Sequence, residues 1–372
     1  MGNLAATIPF TELYERLLTM ARIDTPNNED FAKGIINDAY VRVLPRIEDW
    51  RPITVDSFIT MVAMYNTGTV AATAGSATIT GTGTTWTSAM TATDGYKIKI
   101  AGNDNIYTFT YVSATSAIIS PALSGATNIT GQAYTIFKDE YQLTSDFDRF
   151  LKNGSVYVYS GGRINDIIEE LPKDRFQEEF VPEAQDPIRW VMLTRTHATT
   201  GYRLVRVNPP PKTAYVYPYE YVQKITPLTE YNTGTVAVTT ASPTVTGTST
   251  SWSANVAVGD YFRIDANGIG DSSKWYKITA VGSNTSLTLE TNFGEATSSG
   301  EAYSISKIPT AFPSEFHEFI LYEGVSMVTG EQSDPNATIT IARRNEILLD
   351  LKKNYKSRRT NVQFGVDDDG YR

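Results

Sequence analysis

The stretch Tyr65-Asn66-Thr67-Gly68-Thr69-Val70 occurs again, residue for residue, as Tyr231-Asn232-Thr233-Gly234-Thr235-Val236. Each copy opens a Thr-, Ser- and Gly-rich segment that continues the repeat at lower identity. Ile79-Thr80-Gly81-Thr82-Gly83-Thr84-Thr85-Trp86 is matched by Val245-Thr246-Gly247-Thr248-Ser249-Thr250-Ser251-Trp252. Asp94-Gly95-Tyr96-Lys97-Ile98 is matched by Gly259-Asp260-Tyr261-Phe262-Arg263-Ile264. Both copies close on a common tail, Gly131-Gln132-Ala133-Tyr134-Thr135-Ile136 and Gly300-Glu301-Ala302-Tyr303-Ser304-Ile305. Two copies are too few for a solenoid, which needs about three or more stacked units. The doublet predicts a pair of separate small β modules, at residues 65–137 and 231–306.

Inside the modules the apolar period is two. Thr78-Ile79-Thr80, Tyr96-Lys97-Ile98-Lys99-Ile100, Tyr276-Lys277-Ile278-Thr279-Ala280-Val281 and Ser286-Leu287-Thr288-Leu289 alternate as half-buried strands do. Gly102-Asn103-Asp104-Asn105 and Asn267-Gly268-Ile269-Gly270-Asp271 are turn signals between them. About six short strands per copy make a small barrel or sandwich the expected form, with Trp86 and Trp252 as its core aromatics. The Thr and Ser faces read as solvated strand surface, with a glycan- or surface-binding face as the sharper alternative.

At 372 residues the chain has room for two or three domains. It has no cysteine, which excludes disulfides, thiolate metal sites and cysteine nucleophiles. A formal net charge of −9 argues against a general nucleic-acid-binding surface, which needs a basic stripe. No run of about 18 apolar residues is present to span a membrane. Met1-Gly2-Asn3-Leu4-Ala5-Ala6 lacks the basic start of a secretory signal, so a soluble protein not exported by that route is expected.

Outside the modules the period changes to 3.6 at both ends. Phe10, Leu13, Leu17 and Met20 predict a first helix over 10–23 behind Pro9. Phe31, Ile35, Ala39 and Val43 predict a second from about Asn28 to Leu44, ending in a turn that holds Trp50. Ser57 to Met64 reads as a strand leading into the first module. Residues 138–230 form a central β-rich part. In it, Tyr202-Arg203-Leu204-Val205-Arg206-Val207 is a strand ended by Asn208-Pro209-Pro210-Pro211, and Pro218 predicts an edge position for the run Tyr215–Val222. After the second module, Ser314 opens a helix with Phe316, Phe319, Ile320 and Met327 on one side. Asp334-Pro335 caps a last helix with Ala337, Ile341, Leu348, Leu351 and Tyr355 on one stripe. From about Ser357 the chain is polar and expected to be extended.

Few residues offer chemistry. The two histidines, His197 and His317, have no partner at a ligand spacing; His197 falls in a hairpin loop and His317 in a helical first turn beside Phe316. There is no G-x-S-x-G elbow and no P-loop, and Gly161-Gly162 reads as a turn. Glu169-Glu170 and Glu178-Glu179 are paired carboxylates of the kind glycoside hydrolysis needs, but their adjacency fits a solvated face better. Asp367-Asp368-Asp369 reads as solvated charge. Lys352, Lys353, Lys356, Arg358 and Arg359 put a positive patch at the end of the last helix, which complements the helix dipole or forms a docking surface. Neither a metal site nor a cofactor site is expected.

With the modules set aside, the remaining segments resemble the head-to-tail adaptor (connector) proteins of tailed bacteriophages. The resemblance rests on Phe10-Thr11-Glu12-Leu13, Asn37-Asp38-Ala39-Tyr40 leading to Trp50, Val205 to Pro211 with Tyr219-Glu220-Tyr221, Ile308-Pro309-Thr310-Ala311-Phe312-Pro313-Ser314-Glu315-Phe316-His317, and Asp334-Pro335. It covers about 220 of the 372 residues. It implies an α+β chain with a helical-bundle adaptor core, built from helices at 1–64, the β-rich part at 138–230, and helices plus a tail at 307–372. The two all-β modules are insertions that project outward as decoration or as seats for fibre proteins. It also implies a virion protein of the neck, present in the host cytoplasm during assembly and not an enzyme. There it forms a homo-oligomeric ring, of about twelve copies, between the portal protein and the tail or nozzle. The genomic DNA passes through the lumen without sequence-specific binding. Lys352, Lys353, Lys356, Arg358, Arg359 and Phe364 become the portal-docking candidates. The competing classes are a tail-associated cell-wall hydrolase and a glycan-binding adhesin.

Overall fold

The computed structural model describes residues 7–23, 27–125, 127–151, 156–160, 163–181, 183–265, 274–330 and 337–356. The chain divides into two compact units, Thr54–Lys224 and a discontinuous one of Met1–Ile53 with Ile225–Arg372. The expected helical-bundle core is not there. Three sheets carry most of the chain, and 24% of the described residues are helical. The reason is visible in the apolar pattern: period-two runs outnumber the helical ones, and each builds a sheet with its own core.

The first module is one sheet of seven strands. Their spatial order is Ile129–Gln132, Thr69–Ala72, Thr78–Thr82, Ser116–Ser120, Ile106–Ser113, Tyr96–Ile100 and Tyr134–Lys138. The two outermost strands are separated in sequence by Ala133 alone, so the sheet curls around until its ends meet at one corner. The second module repeats the order: Ser298–Glu301, Thr235–Val238, Thr244–Thr248, Ser286–Leu289, Tyr276–Ser283, Tyr261–Ile264 and Tyr303–Ser306, extended by Glu230–Tyr231. In the first copy the counterpart of that extension is a single bridge from Tyr65 to Ile136. Each curled sheet closes over its own apolar cluster, with Trp86 among Ile79, Ile98, Phe109 and Tyr134, and Trp252 among Val245, Phe262, Ile278 and Tyr303.

The repeated hexapeptide is the clasp of this fold. The Tyr65 hydroxyl accepts the Thr85 N–H at 2.7 Å, and Tyr231 accepts the Ser251 N–H at 2.8 Å. The Thr67 and Thr233 carbonyls accept the hydroxyls of Tyr134 and Tyr303, both at 2.6 Å. Those same hydroxyls accept the indole N–H of Trp86 at 3.0 Å and of Trp252 at 3.1 Å. Gly68 and Gly234 have φ of +84° and +91°, and a Cβ on either would lie 2.4 Å from a strand carbonyl, Thr82 O or Thr248 O. Only glycine satisfies both the left-handed backbone and that approach.

The central sheet shares a unit with the first module. Its order is Thr54–Thr60, Val216–Gln223, Val156–Ser160, Arg163–Glu170, Trp190–Thr196, Arg203–Asn208 and Glu140–Gln142, with Phe147–Phe150 also pairing Val216–Gln223. The entry strand is thus Thr54–Thr60 rather than 57–64. Pro218 does not mark an edge strand. Val216–Gln223 is interior, but on its far side Tyr219 pairs with Val156, and Tyr221 to Gln223 with Phe147–Phe150. Among the described residues, 216–218 have ladder partners only in Thr54–Thr60, so the missing proline N–H is accommodated there.

The helices belong to the discontinuous unit, apart from a short one in the central part. They are α1 Phe10–Met20, α2 Glu29–Asn37, α3 Leu44–Ile47, α4 Lys173–Glu178 (the exception), α5 Trp252–Asn255, α6 Glu315–Thr329 and α7 Ala337–Tyr355. The continuous helix expected to Leu44 is interrupted by a π-helical turn, Asp38–Val43. Its buried residues are Ala32, Ile36, Ala39, Tyr40 and Leu44, while Phe31 is 51% exposed. The wider turn shifts the apolar face by about a residue relative to a regular 3.6 period. At Gly324 of α6, a Cβ would stand 2.8 Å from Leu17 and 3.1 Å from Ile36, so α1 and α2 close directly onto the α6 backbone.

Candidate functional site

Polar side chains are gathered where each module meets the rest of its unit. In the discontinuous unit, Arg263 of the second module is 2% exposed and binds Glu15 of α1 with both guanidinium ends, at 2.8 and 3.0 Å. Its Nε donates to Asp265 at 2.9 Å, and its plane lies 4.5 Å from the Trp275 ring. Burial alone would lower the Arg263 pKa. The hydrogen bonds and charge of Glu15, then of Asp265, outweigh it and raise it, so the cation is fixed. At Asp265 burial prevails over the Ser304 hydroxyl and Arg263, and its pKa is raised. One turn away, Tyr14 and Thr11 donate to Glu230 at 2.9 and 3.1 Å, Lys33 pairs with the same carboxylate, and the Thr11 N–H reaches Ser306 Oγ at 2.9 Å.

In the other unit the corresponding role falls to Asp139, which is fully buried. Its Oδ2 accepts Lys97 of the first module at 2.6 Å and Arg206 of the central sheet at 2.7 Å. The Arg206 guanidinium is stacked 4.5 Å from the Phe180 ring. Both modules are therefore held by ion clusters with little access to water, where breaking a pair costs most. These residues carry no local sequence signal. Glu15 and Arg263 are 248 positions apart, and Asp139 sits in a charged run like any surface segment.

The residues singled out from sequence are dispersed. Trp86 and Trp252 are in the module cores. His317 is 2% exposed and its Nδ1 accepts the Ile8 N–H at 3.0 Å; burial lowers its pKa to about 4, against weaker pulls from the Pro309 and Phe312 carbonyls. His197 lies in the hairpin between Trp190–Thr196 and Arg203–Asn208, with Nε2 3.5 Å from Asp94. Glu169 and Glu170 are exposed at the end of a strand and Glu178 and Glu179 at the end of α4, so neither pair is in a cleft. Gly161-Gly162, Asp334-Pro335, Arg358, Arg359, Phe364 and Asp367-Asp368-Asp369 lie outside the described residues. Among the described residues no group of three or more His, Asp or Glu is placed to hold a metal ion, and no helix is long and apolar enough to cross a membrane.

The end of α7 is less uniformly positive than its sequence. Lys356 pairs with Glu48 at 3.2 Å. Lys353 lines a groove of about 520 Å³ between α6 and α7 that also holds Glu315, Glu318, Glu346 and Asp350. Arg343 is committed within it, at 2.8 Å from Glu346. This surface can thus receive basic as well as acidic groups.

No known family model matches the sequence, and no curated protein is similar to it.

Proposed function

We propose that the chain is a structural component of a tailed-bacteriophage neck, a head-to-tail adaptor that assembles in a ring between portal and tail. The observation that carries this reading is the apolar surface left on the outer strands of the central sheet. Phe58 is 65% exposed and Val216 59%, beside Tyr215 at 45%, on two hydrogen-bonded strands of which Thr54–Thr60 is the sheet edge. A long edge strand with exposed apolar side chains is a surface that proteins normally cover. In the other unit, α7 leaves Ile339 and Leu349 71% and 69% exposed. Neighbouring copies in a ring would cover such surfaces through a heterologous contact that closes on itself.

In this reading Lys352, Lys353 and Lys356, with Arg358, Arg359 and Phe364 beyond them, dock on the portal protein. The net charge of −9 suits a channel wall that must let DNA slide, because phosphate contacts would retain it. The test is native mass spectrometry of the purified chain, alone and mixed with portal rings. The expected result is a closed multimer on the portal, with assembly weakened by Phe58→Glu while the circular dichroism spectrum is unchanged. A chain that stays monomeric and leaves portal rings bare at micromolar concentration refutes the reading.

A further inference from the structure

The two modules can be superposed through their hydrogen-bond register. Ile98 pairs with Ile136 and Ile100 with Tyr134 in the first; Phe262 pairs with Ile305 and Ile264 with Tyr303 in the second. Lys99, opposite Thr135, therefore occupies the place of Arg263, opposite Ser304. Two further bonds agree: Ala101 N–H donates to the Ala133 carbonyl and Asp265 N–H to the Ala302 carbonyl, both at 2.9 Å. On this register Met64, Lys99, Ala101, Thr135 and Phe137 correspond to Glu230, Arg263, Asp265, Ser304 and Ser306.

In the second module that face is occupied. Glu230, Arg263 and Ser306 grip Tyr14, Glu15 and Thr11 of α1. In the first module the same five positions line an open cleft of about 680 Å³. Lys212 of the central part stands at its margin. Among the described residues, Lys99 pairs there with the 67%-exposed Glu183, at 3.4 Å. An exposed pair of that kind contributes about 0–1 kcal/mol and is readily displaced.

We infer that this cleft is a docking site for a helix of a partner protein, one that presents a carboxylate to Lys99 as Glu15 is presented to Arg263. The remaining positions define the rest of the partner's face. Met64 replaces Glu230, and Phe137, itself 1% exposed, replaces Ser306, so the first module has apolar side chains where the second offers hydrogen bonds. The partner helix carries apolar side chains one turn from its acid, and it takes its specificity from the charge pair. The fold evidently supports such a contact, because it makes one on the equivalent surface.

The chain has no cysteine, so Ala101→Cys gives a unique attachment point for a fluorophore at the cleft. The probe is a synthetic peptide of residues 7–23 carrying Thr11→Leu, which gives the helix seated on the second module's equivalent face an apolar residue one turn from Glu15, added to the labelled full-length chain. Saturable quenching is expected. Lys99→Glu should weaken it about tenfold or more, and a Glu15→Lys peptide should bind the Lys99→Glu chain better than the parent. Glu183→Ala should strengthen binding by removing the competing carboxylate. Lys99 and Glu183 are partly exposed, so these variants fold; a Thr135→Trp variant that fills the cleft is the independent control and should abolish binding. Absence of saturable quenching, or quenching indifferent to Lys99→Glu and to Thr135→Trp, overturns the inference.

Discussion

Tyr134 uses one oxygen twice, accepting from the Trp86 indole and donating to the Thr67 carbonyl, and Tyr303 does the same for Trp252 and Thr233. Tyr134→Phe leaves a buried indole N–H and a carbonyl without partners, so it should destabilise its unit by about 1–3 kcal/mol in urea unfolding. Tyr303→Phe should do the same to the other unit. Gly68→Ala and Gly102→Ala separate two penalties. Both glycines have positive φ, but only at Gly68 does a Cβ meet backbone, and nothing lies within 4 Å at Gly102. Gly102→Ala is expected to cost about 1–2 kcal/mol from the left-handed backbone alone, and Gly68→Ala clearly more, as read from midpoints of denaturation. His317 predicts a pH dependence. Its pKa is lowered from 6.5 to about 4, so the unfolded chain takes up the proton before the folded one does. The stability present above pH 6.5 is lost as the pH falls toward 4, by about 3 kcal/mol from this group. Stability curves for the parent and His317→Gln should diverge across that window and run parallel above it.

At the scale of the element, the module joints are the sensitive points. Arg263→Met alone takes the buried cation from both Glu15 and Asp265 and should cost about 3–5 kcal/mol by thermal or chemical unfolding, whereas Glu15→Gln leaves Arg263 paired with Asp265 and should cost less. Adding Glu15→Met and Asp265→Asn to Arg263→Met should recover most of that loss. Strands and modules were legible in the sequence because each strand buries one face and so displays its period, and because the hexapeptide occurs twice. The helical phase was less so. Phe31 reads as core, but the buried face runs through Ala32 and Ile36, and the π turn at Asp38–Val43 carries it on to Tyr40 and Leu44. The helical-bundle core is what the adaptor resemblance implies, whereas the sheets hold most of the buried side chains among the described residues. The joint residues were not legible at all. Matching the modules by Tyr96 and Tyr261 sets Arg263 opposite Ile98, whereas the register sets it opposite Lys99, and no local pattern distinguishes the two alignments.

For the whole molecule, the division into units makes a plain prediction. Residues 54–224 contain complete sheets and complete apolar clusters, so this fragment should fold alone, with a cooperative transition and a buried Trp86 emission. A fragment of 1–53 should not fold alone, because Leu13, Leu17, Ala32 and Ile36 are buried in a unit whose other part begins at Ile225. Proteolysis of the two fragments would distinguish these outcomes. The same division has a consequence for biosynthesis. At translation rates of about 5–20 residues per second, Arg263 follows Glu15 from the ribosome by something on the order of 10–50 s. During that interval the Thr54–Lys224 unit can fold, while α1 waits with its carboxylate and its leucines uncovered. The nascent chain thus carries, for most of its synthesis, an α1 whose buried ion-pair partner has not yet been made.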